Sequence, residues 1–135
     1  AQRVDFTLGW RRLADAAAGD EAPLRLLFSD AHAPDDWLAR WRLRCASEDG
    51  DATLDPAAAG IERAKAIRSV NPYVIARNHR VEEALAAASD HGDLAPFERL
   101  LAALARPYDE APELASFAEP APAAVTACYR TFCGT

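Results

Sequence analysis

Apolar residues recur at intervals of three and four along five segments of the chain, and glycine or proline ends these segments. This spacing places the apolar side chains on one face of an α-helix, whereas a half-buried strand would need them to alternate. The sequence has no alternating run long enough for a sheet and no hairpin dipeptide between two such runs. We therefore expect an all-α fold.

Local signals set the expected bounds of these helices. The starts are marked by Asp5, Pro34, Asp55–Pro56 and Asp93, and the ends by Gly19, Asn71–Pro72, Gly92 and Pro107. The expected buried faces are Phe6, Trp10, Leu13 and Ala17; Trp37, Leu38, Trp41 and Cys45; Ile61, Ala64, Ile67 and Val70; Val81, Ala84, Leu85 and Ala88; and Phe97, Leu100, Leu101 and Leu104. If Leu101 is fully buried, its replacement by alanine should cost about 2–5 kcal/mol.

The chain of 135 residues is long enough for one hydrophobic core, so a single domain is the simplest expectation. We predict a helical region over residues 1–106 and a proline-rich tail over 107–135. Four prolines fall between positions 107 and 122, which leaves room only for short helices between them. The tail ends in a short motif that contains Cys133.

Charge and composition restrict the possible partners. The net charge of −6 argues against nucleic acid, because nucleic-acid binders present a basic face. No apolar run is long enough to cross a bilayer, so we expect a soluble, cytoplasmic protein without a membrane partner. Fourteen of the fifteen cations are arginine and alanine is abundant, which suggests a GC-rich bacterial genome. The absence of methionine suggests a piece of a longer polypeptide.

The thiols and imidazoles form no strong catalytic or metal-binding pattern. Cys45 shares a predicted face with two tryptophans, so packing with a raised pKa is expected there. No pair among the three histidines (His32, His79 and His91) has the helical spacing of two metal ligands, and Cys128 and Cys133 lack a second pair for a zinc site. A nucleophilic pair of Cys133 and His79 is conceivable, but no orienting acid is evident.

The segment RNHRVEE places Arg77 and Arg80 just ahead of Glu82 and Glu83. We interpret it first as a solvated helix start with weak local ion pairs. The alternative is a basic site that docks on an acidic or phosphate-bearing surface elsewhere in a larger protein. The chain has no glycine-rich phosphate loop and no kinase catalytic motif, so catalytic, metal-binding and cofactor-binding residues are expected outside it.

Several segments together resemble the C-terminal region of the selenoprotein O family. These segments are SVNPYVIARNHRVEEALAAASDHGDLAPFERLLAALARPY (Ser69 to Tyr108), the ending TFCGT, and the upstream DFTLGWRRLA and DDWLARWRLR. The resemblance implies the C-terminal helical portion of a protein-kinase-like fold. It also implies an enzyme that uses ATP and Mg²⁺ to transfer AMP onto hydroxyl side chains of proteins.

The resemblance gives the terminal thiol an expected role. Cys133 occupies the position at which family members carry selenocysteine or cysteine, which implies redox regulation through a disulfide to a cysteine in the upstream kinase-like domain. A disulfide between Cys128 and Cys133 is a geometric alternative. Alone, residues 1–135 should be inactive. The competing hypothesis is a stand-alone helical module that binds a protein partner without catalysis.

Overall fold

The computed structural model describes residues 4–50 and 55–128, and within these ranges all regular structure is helical. The all-α prediction is therefore confirmed. The α-helices are α1 (Phe6–Ala17), α2 (Ala22–Arg25), α3 (Asp35–Asp49), α4 (Pro56–Val70), α5 (Asn78–His91), α6 (Ala95–Leu104), α7 (Ala115–Ala118) and α8 (Ala123–Cys128), and a 3₁₀ turn (Pro112–Leu114) precedes α7. In the described ranges, no helix is both long and apolar enough to span a membrane.

The chain divides into two compact units, Ala1–Pro72 and Tyr73–Thr135. This division falls inside the single helical region predicted over residues 1–106. Residues 107–128 belong to the second unit and form only short helices, as four closely spaced prolines require. The boundary at residue 107 stays a prediction.

In the first unit, the ends of α1 follow from local chemistry. The Asp5 side chain accepts a hydrogen bond from the Leu8 N–H at 2.9 Å, which satisfies one of the donors left open at a helix start. Gly19 has a φ of 103°, which lets the backbone turn away just beyond the helix. Four buried side chains form the core of this unit, with Leu27, Phe28, Trp41 and Ile67 packed around them. They are Leu13, Ala16, Leu24 and Leu38.

The predicted start of α3 and both predicted ends of α4 are confirmed, but the predicted faces of these helices are wrong in part. In α3 only Leu38 is fully buried, while Trp37 is 45% exposed. In α4 the buried residue is Ala64, and Ile61 and Val70 are exposed. In each helix, fewer apolar residues are buried against neighbours than the sequence places on the apolar face.

In the second unit, α5 and α6 pack against each other. Gly92 ends α5 in the left-handed region, with a φ of 66°. Before α6, Asp93 accepts a hydrogen bond from the Ala95 N–H at 2.9 Å. Leu100 is buried, but Leu101 is 51% exposed, so the cost of 2–5 kcal/mol expected for Leu101→Ala does not apply.

The contact between α1 and α4 depends on a missing side chain. A Cβ atom added at Gly60 of α4 would lie 2.4 Å from the carbonyl oxygen of Ala17. This distance is far below van der Waals contact, so the two helix backbones approach this closely only because residue 60 is glycine.

Two glycine-to-alanine substitutions should therefore have opposite effects on stability. Gly60→Ala should lower the free energy of unfolding by about 1–3 kcal/mol, because the helices must separate. Gly9→Ala, inside α1, should raise it by about 0.5–1 kcal/mol, because its Cβ would meet only a Val4 methyl group at 3.5 Å. Urea unfolding of both variants measures the difference. Equal effects would contradict the close approach at Gly60.

Candidate functional site

A buried arginine joins α1 to the end of α4. Arg11 is 2% exposed, and its guanidinium donates to the carbonyl oxygens of Arg68 at 3.2 Å and Asn71 at 3.1 Å. These carbonyls lie in the last turn of α4 and at its C-cap, where the helix provides no further N–H partner and the dipole favours a cation. The arginine thus fixes the orientation of α1 against α4.

Ion pairs reinforce the same contact at its edge. Asp15 of α1 pairs with Arg68 of α4 and, on its own helix, with Arg12 at 2.7 Å. The three side chains are only partly exposed, so the pairs are less screened by solvent than ordinary surface pairs. Together with Arg11, these ion pairs hold α1 in a fixed position on α4.

A concave groove on the other side of α1 is lined almost entirely by apolar side chains. It has a volume of about 380 Å³ and lies between α1 and the chain that runs from α2 to the first turn of α3. Its main apolar lining residues are Phe6, Trp10, Leu13, Leu24, Phe28 and Trp37. A groove of this size and composition suits an apolar ligand or an apolar segment of polypeptide.

Three of the lining aromatic side chains reach solvent. Phe6 is 78% exposed, Trp37 is 45% exposed and Trp10 is 38% exposed. Phe6 and Trp10 meet edge to face with ring centroids 6.0 Å apart, and Trp37 stacks on Trp41 at 6.1 Å. These contacts order the rings while their outer faces stay open to a further apolar group.

Cys45 lies two turns beyond Trp37 along α3, in a smaller depression that Trp41, Gly60 and Arg63 also line. The thiol is free and half-buried. Burial raises the pKa of the Cys45 thiol, and the nearby positive charge of Arg63 only partly opposes this rise. The expectation of a packed, poorly ionised thiol is therefore confirmed.

Arg63 is held in place by acids of α3. Its guanidinium donates to Glu48 at 3.1 Å and to Asp49 at 2.6 Å, and also to the carbonyl oxygen of Cys45 at 3.3 Å. Hydrogen bonds from Arg44, the larger cause, and from Arg63 lower the pKa of the Glu48 carboxyl. The positive charge beside Cys45 is thus already paired, which leaves little of it to stabilise a thiolate.

The other candidate residues are not gathered into one site. His32 is exposed and lies 3.1 Å from the Asp35 carboxylate, while His79 and His91 occupy opposite ends of α5. Within residues 4–50 and 55–128, no three His, Cys, Asp or Glu side chains lie close enough together to hold a metal ion.

Cys128 is the last residue of α8. Cys133 lies outside the described residues, so its predicted role and its pairing with His79 or Cys128 stay predictions.

The two arginines at the start of α5, Arg77 at its N-cap and Arg80 in its first turn, have different surroundings. Arg80 pairs with Glu83 at 2.9 Å and donates to the carbonyl oxygen of Ser116 at 3.0 Å. Arg77, at the N-cap of α5, is only 9% exposed, so the interpretation as a fully solvated helix start is wrong for this residue. Arg80 is a structural link between α5 and α7.

Sequence reasoning missed both the buried arginine and the groove. Arg11 and Arg12 are adjacent in the same helix, and no sequence signal distinguishes the one that turns inward. The groove depends on Leu24, Phe28 and the loop before α3, where the apolar residues have no regular period.

The whole chain is similar to proteins named protein nucleotidyltransferase YdiU. It is 50% identical over 136 aligned positions to the protein of a Bradyrhizobium strain, and 52% identical over 135 to that of Cereibacter sphaeroides. Identity to the Rhodopseudomonas palustris protein is 47% over 134 positions, or 98% of this chain. No family model matches the chain, and no solved structure matches it.

The matches cover this chain almost completely but cover only 25–26% of each of these relatives. The chain therefore spans about a quarter of the length of the curated relatives it matches. Near 50% identity along its whole length shows common descent, which confirms the resemblance described from the sequence. The chain belongs, as a C-terminal region, to the selenoprotein O family of YdiU protein nucleotidyltransferases.

Proposed function

We propose that this chain is the helical C-terminal region of a protein AMP-transferase. The observation that carries the proposal is the 47–52% identity, over the whole chain, to proteins named protein nucleotidyltransferase. In this proposal the rest of the polypeptide is a kinase-like domain that binds ATP and Mg²⁺ in the cytoplasm. The residues of this chain support that domain and do not touch the nucleotide.

The proposed chemistry determines the experiment. In AMP transfer, a hydroxyl oxygen of the target protein bonds to the α-phosphorus of ATP, the bond to the β-phosphate oxygen breaks, and pyrophosphate leaves with the hydroxyl proton passing to a base. A kinase reaction would instead attack the γ-phosphorus and release ADP. The position of a radioactive phosphorus in ATP therefore distinguishes the two reactions.

The full-length polypeptide that contains this chain should label protein hydroxyls when it receives ATP labelled at the α-phosphorus together with Mg²⁺. The same preparation should give no label from ATP labelled at the γ-phosphorus. Residues 1–135 alone should give neither label. Transfer of the γ-label, or labelling by residues 1–135 alone, would contradict the proposal.

A second part of the proposal concerns the terminal thiol. We propose that Cys133 forms a reversible disulfide with a cysteine outside residues 1–135, in a reaction that passes two electrons and two protons to a thiol oxidant or an exchanging disulfide. The support is the resemblance to the selenoprotein O family, in which this position carries selenocysteine or cysteine. Cys45 is the weaker candidate for exchange, because burial raises the pKa of its thiol.

The two cysteines should therefore respond differently to substitution in the full-length protein. Reductant should change AMP transfer by the wild type and by Cys45→Ser, but should leave transfer by Cys133→Ser unchanged. Mass spectrometry of the oxidised protein should show which cysteine is joined to Cys133. A Cys133 thiol that stays free under oxidation, with Cys133→Ser as sensitive to reductant as the wild type, would exclude this role.

A further inference from the structure

The apolar groove of the first unit leaves more aromatic surface open than its own fold uses. Phe6 and Trp37 are each at least 45% exposed at its rim, while Leu13 and Leu24 beneath them are almost completely buried. A contiguous aromatic surface of this kind usually marks a contact with another polypeptide segment. The rings are already ordered by contacts with Trp10 and Trp41, so a partner would not have to rearrange them.

The length of the relatives indicates where that segment comes from. About three quarters of each relative lies outside the part that matches this chain. Val4 and Asp5, the first residues that the structure describes, line one side of the groove, so a polypeptide that continues before them begins beside it. This inference rests on one premise of the proposed function, namely that the chain is part of a longer protein.

Charge around the groove restricts the chemistry of the segment. Asp5 is the charged residue among the described groove-lining side chains. Asp36 precedes Trp37 in α3 and is exposed, although it does not itself line the groove. The nearby cation Arg25 is already paired with Glu21 at 2.8 Å and Asp35 at 2.5 Å. The groove thus has an apolar floor and one acidic lining residue, and a second exposed carboxylate, Asp36, adjoins the lining residue Trp37 in the chain.

We propose that this groove binds a segment of the same polypeptide from outside residues 1–135, whose apolar side chains are flanked by lysine or arginine. Its apolar side chains cover Phe6, Trp10 and Trp37, and its cation lies beside Asp36. The groove is in this way the attachment point between the helical region and the rest of the transferase.

Photo-crosslinking in the full-length protein tests this directly. A photoreactive amino acid replaces Trp37, and in a matched control it replaces Leu43, which is 73% exposed on the same helix but does not line the groove. Position 37 should crosslink within one polypeptide to a segment outside residues 1–135 that carries apolar and basic residues. Position 43 should give no crosslink to that segment.

Mixing isotopically light and heavy copies before irradiation identifies other occupants. Crosslinks between light and heavy copies would mean that a second copy fills the groove and would overturn the proposal. Crosslinks from position 37 only to residues 1–135, or no crosslink, would overturn it as well. The readout needs no AMP transfer, so crosslinks in a protein without that activity would refute the proposed function and leave this inference intact.

A charge reversal at Asp36 tests the basic flank of the proposed segment. Asp36→Lys should lower the yield of the position 37 crosslink by about threefold or more, because it places a like charge beside the basic flank. Glu82→Lys, which changes the net charge equally at an exposed site in the second unit, should leave the yield unchanged. Equal yields of the position 37 crosslink in both variants would contradict the proposal that lysine or arginine flanks the bound segment.

Discussion

The buried guanidinium of Arg11 is the interaction on which the first unit depends. A buried arginine is costly unless its donors are satisfied, and here two carbonyl oxygens at the end of α4 accept from it. These hydrogen bonds fix the angle at which α1 crosses α4. Gly60 allows the close approach beside them, since any side chain at this position would overlap the backbone of Ala17.

Fixing α1 in this way determines which surface it offers to the rest of the unit. Arg11 and Asp15 face α4, which leaves Phe6 and Trp10 on the side that borders the groove. Leu13 and Leu24 close the floor between α1 and the segment leading into α3. The apolar groove is therefore a consequence of the polar contact on the opposite side of the helix, and the two features should be lost together.

The sequence predicts the helices well because their ends are set by local chemistry. Asp5 and Gly92 act within a few residues, so their effects are visible without knowledge of the fold. The buried faces are less predictable, because the choice of Leu38 over Trp37 depends on what packs against α3. The four residues of α2 are too few to show a helical period, and Cys133, the one predicted site residue, lies outside the described residues.

Under the proposed function, this chain is a part of a protein AMP-transferase that the transfer reaction requires. The most direct measurement compares AMP transfer by the full-length polypeptide with transfer by a polypeptide that lacks residues 1–135, with circular dichroism to show that the shortened protein is folded. The account predicts that transfer is lost or strongly reduced without this region. Undiminished transfer by the folded, shortened protein would contradict it and would favour a separate binding module.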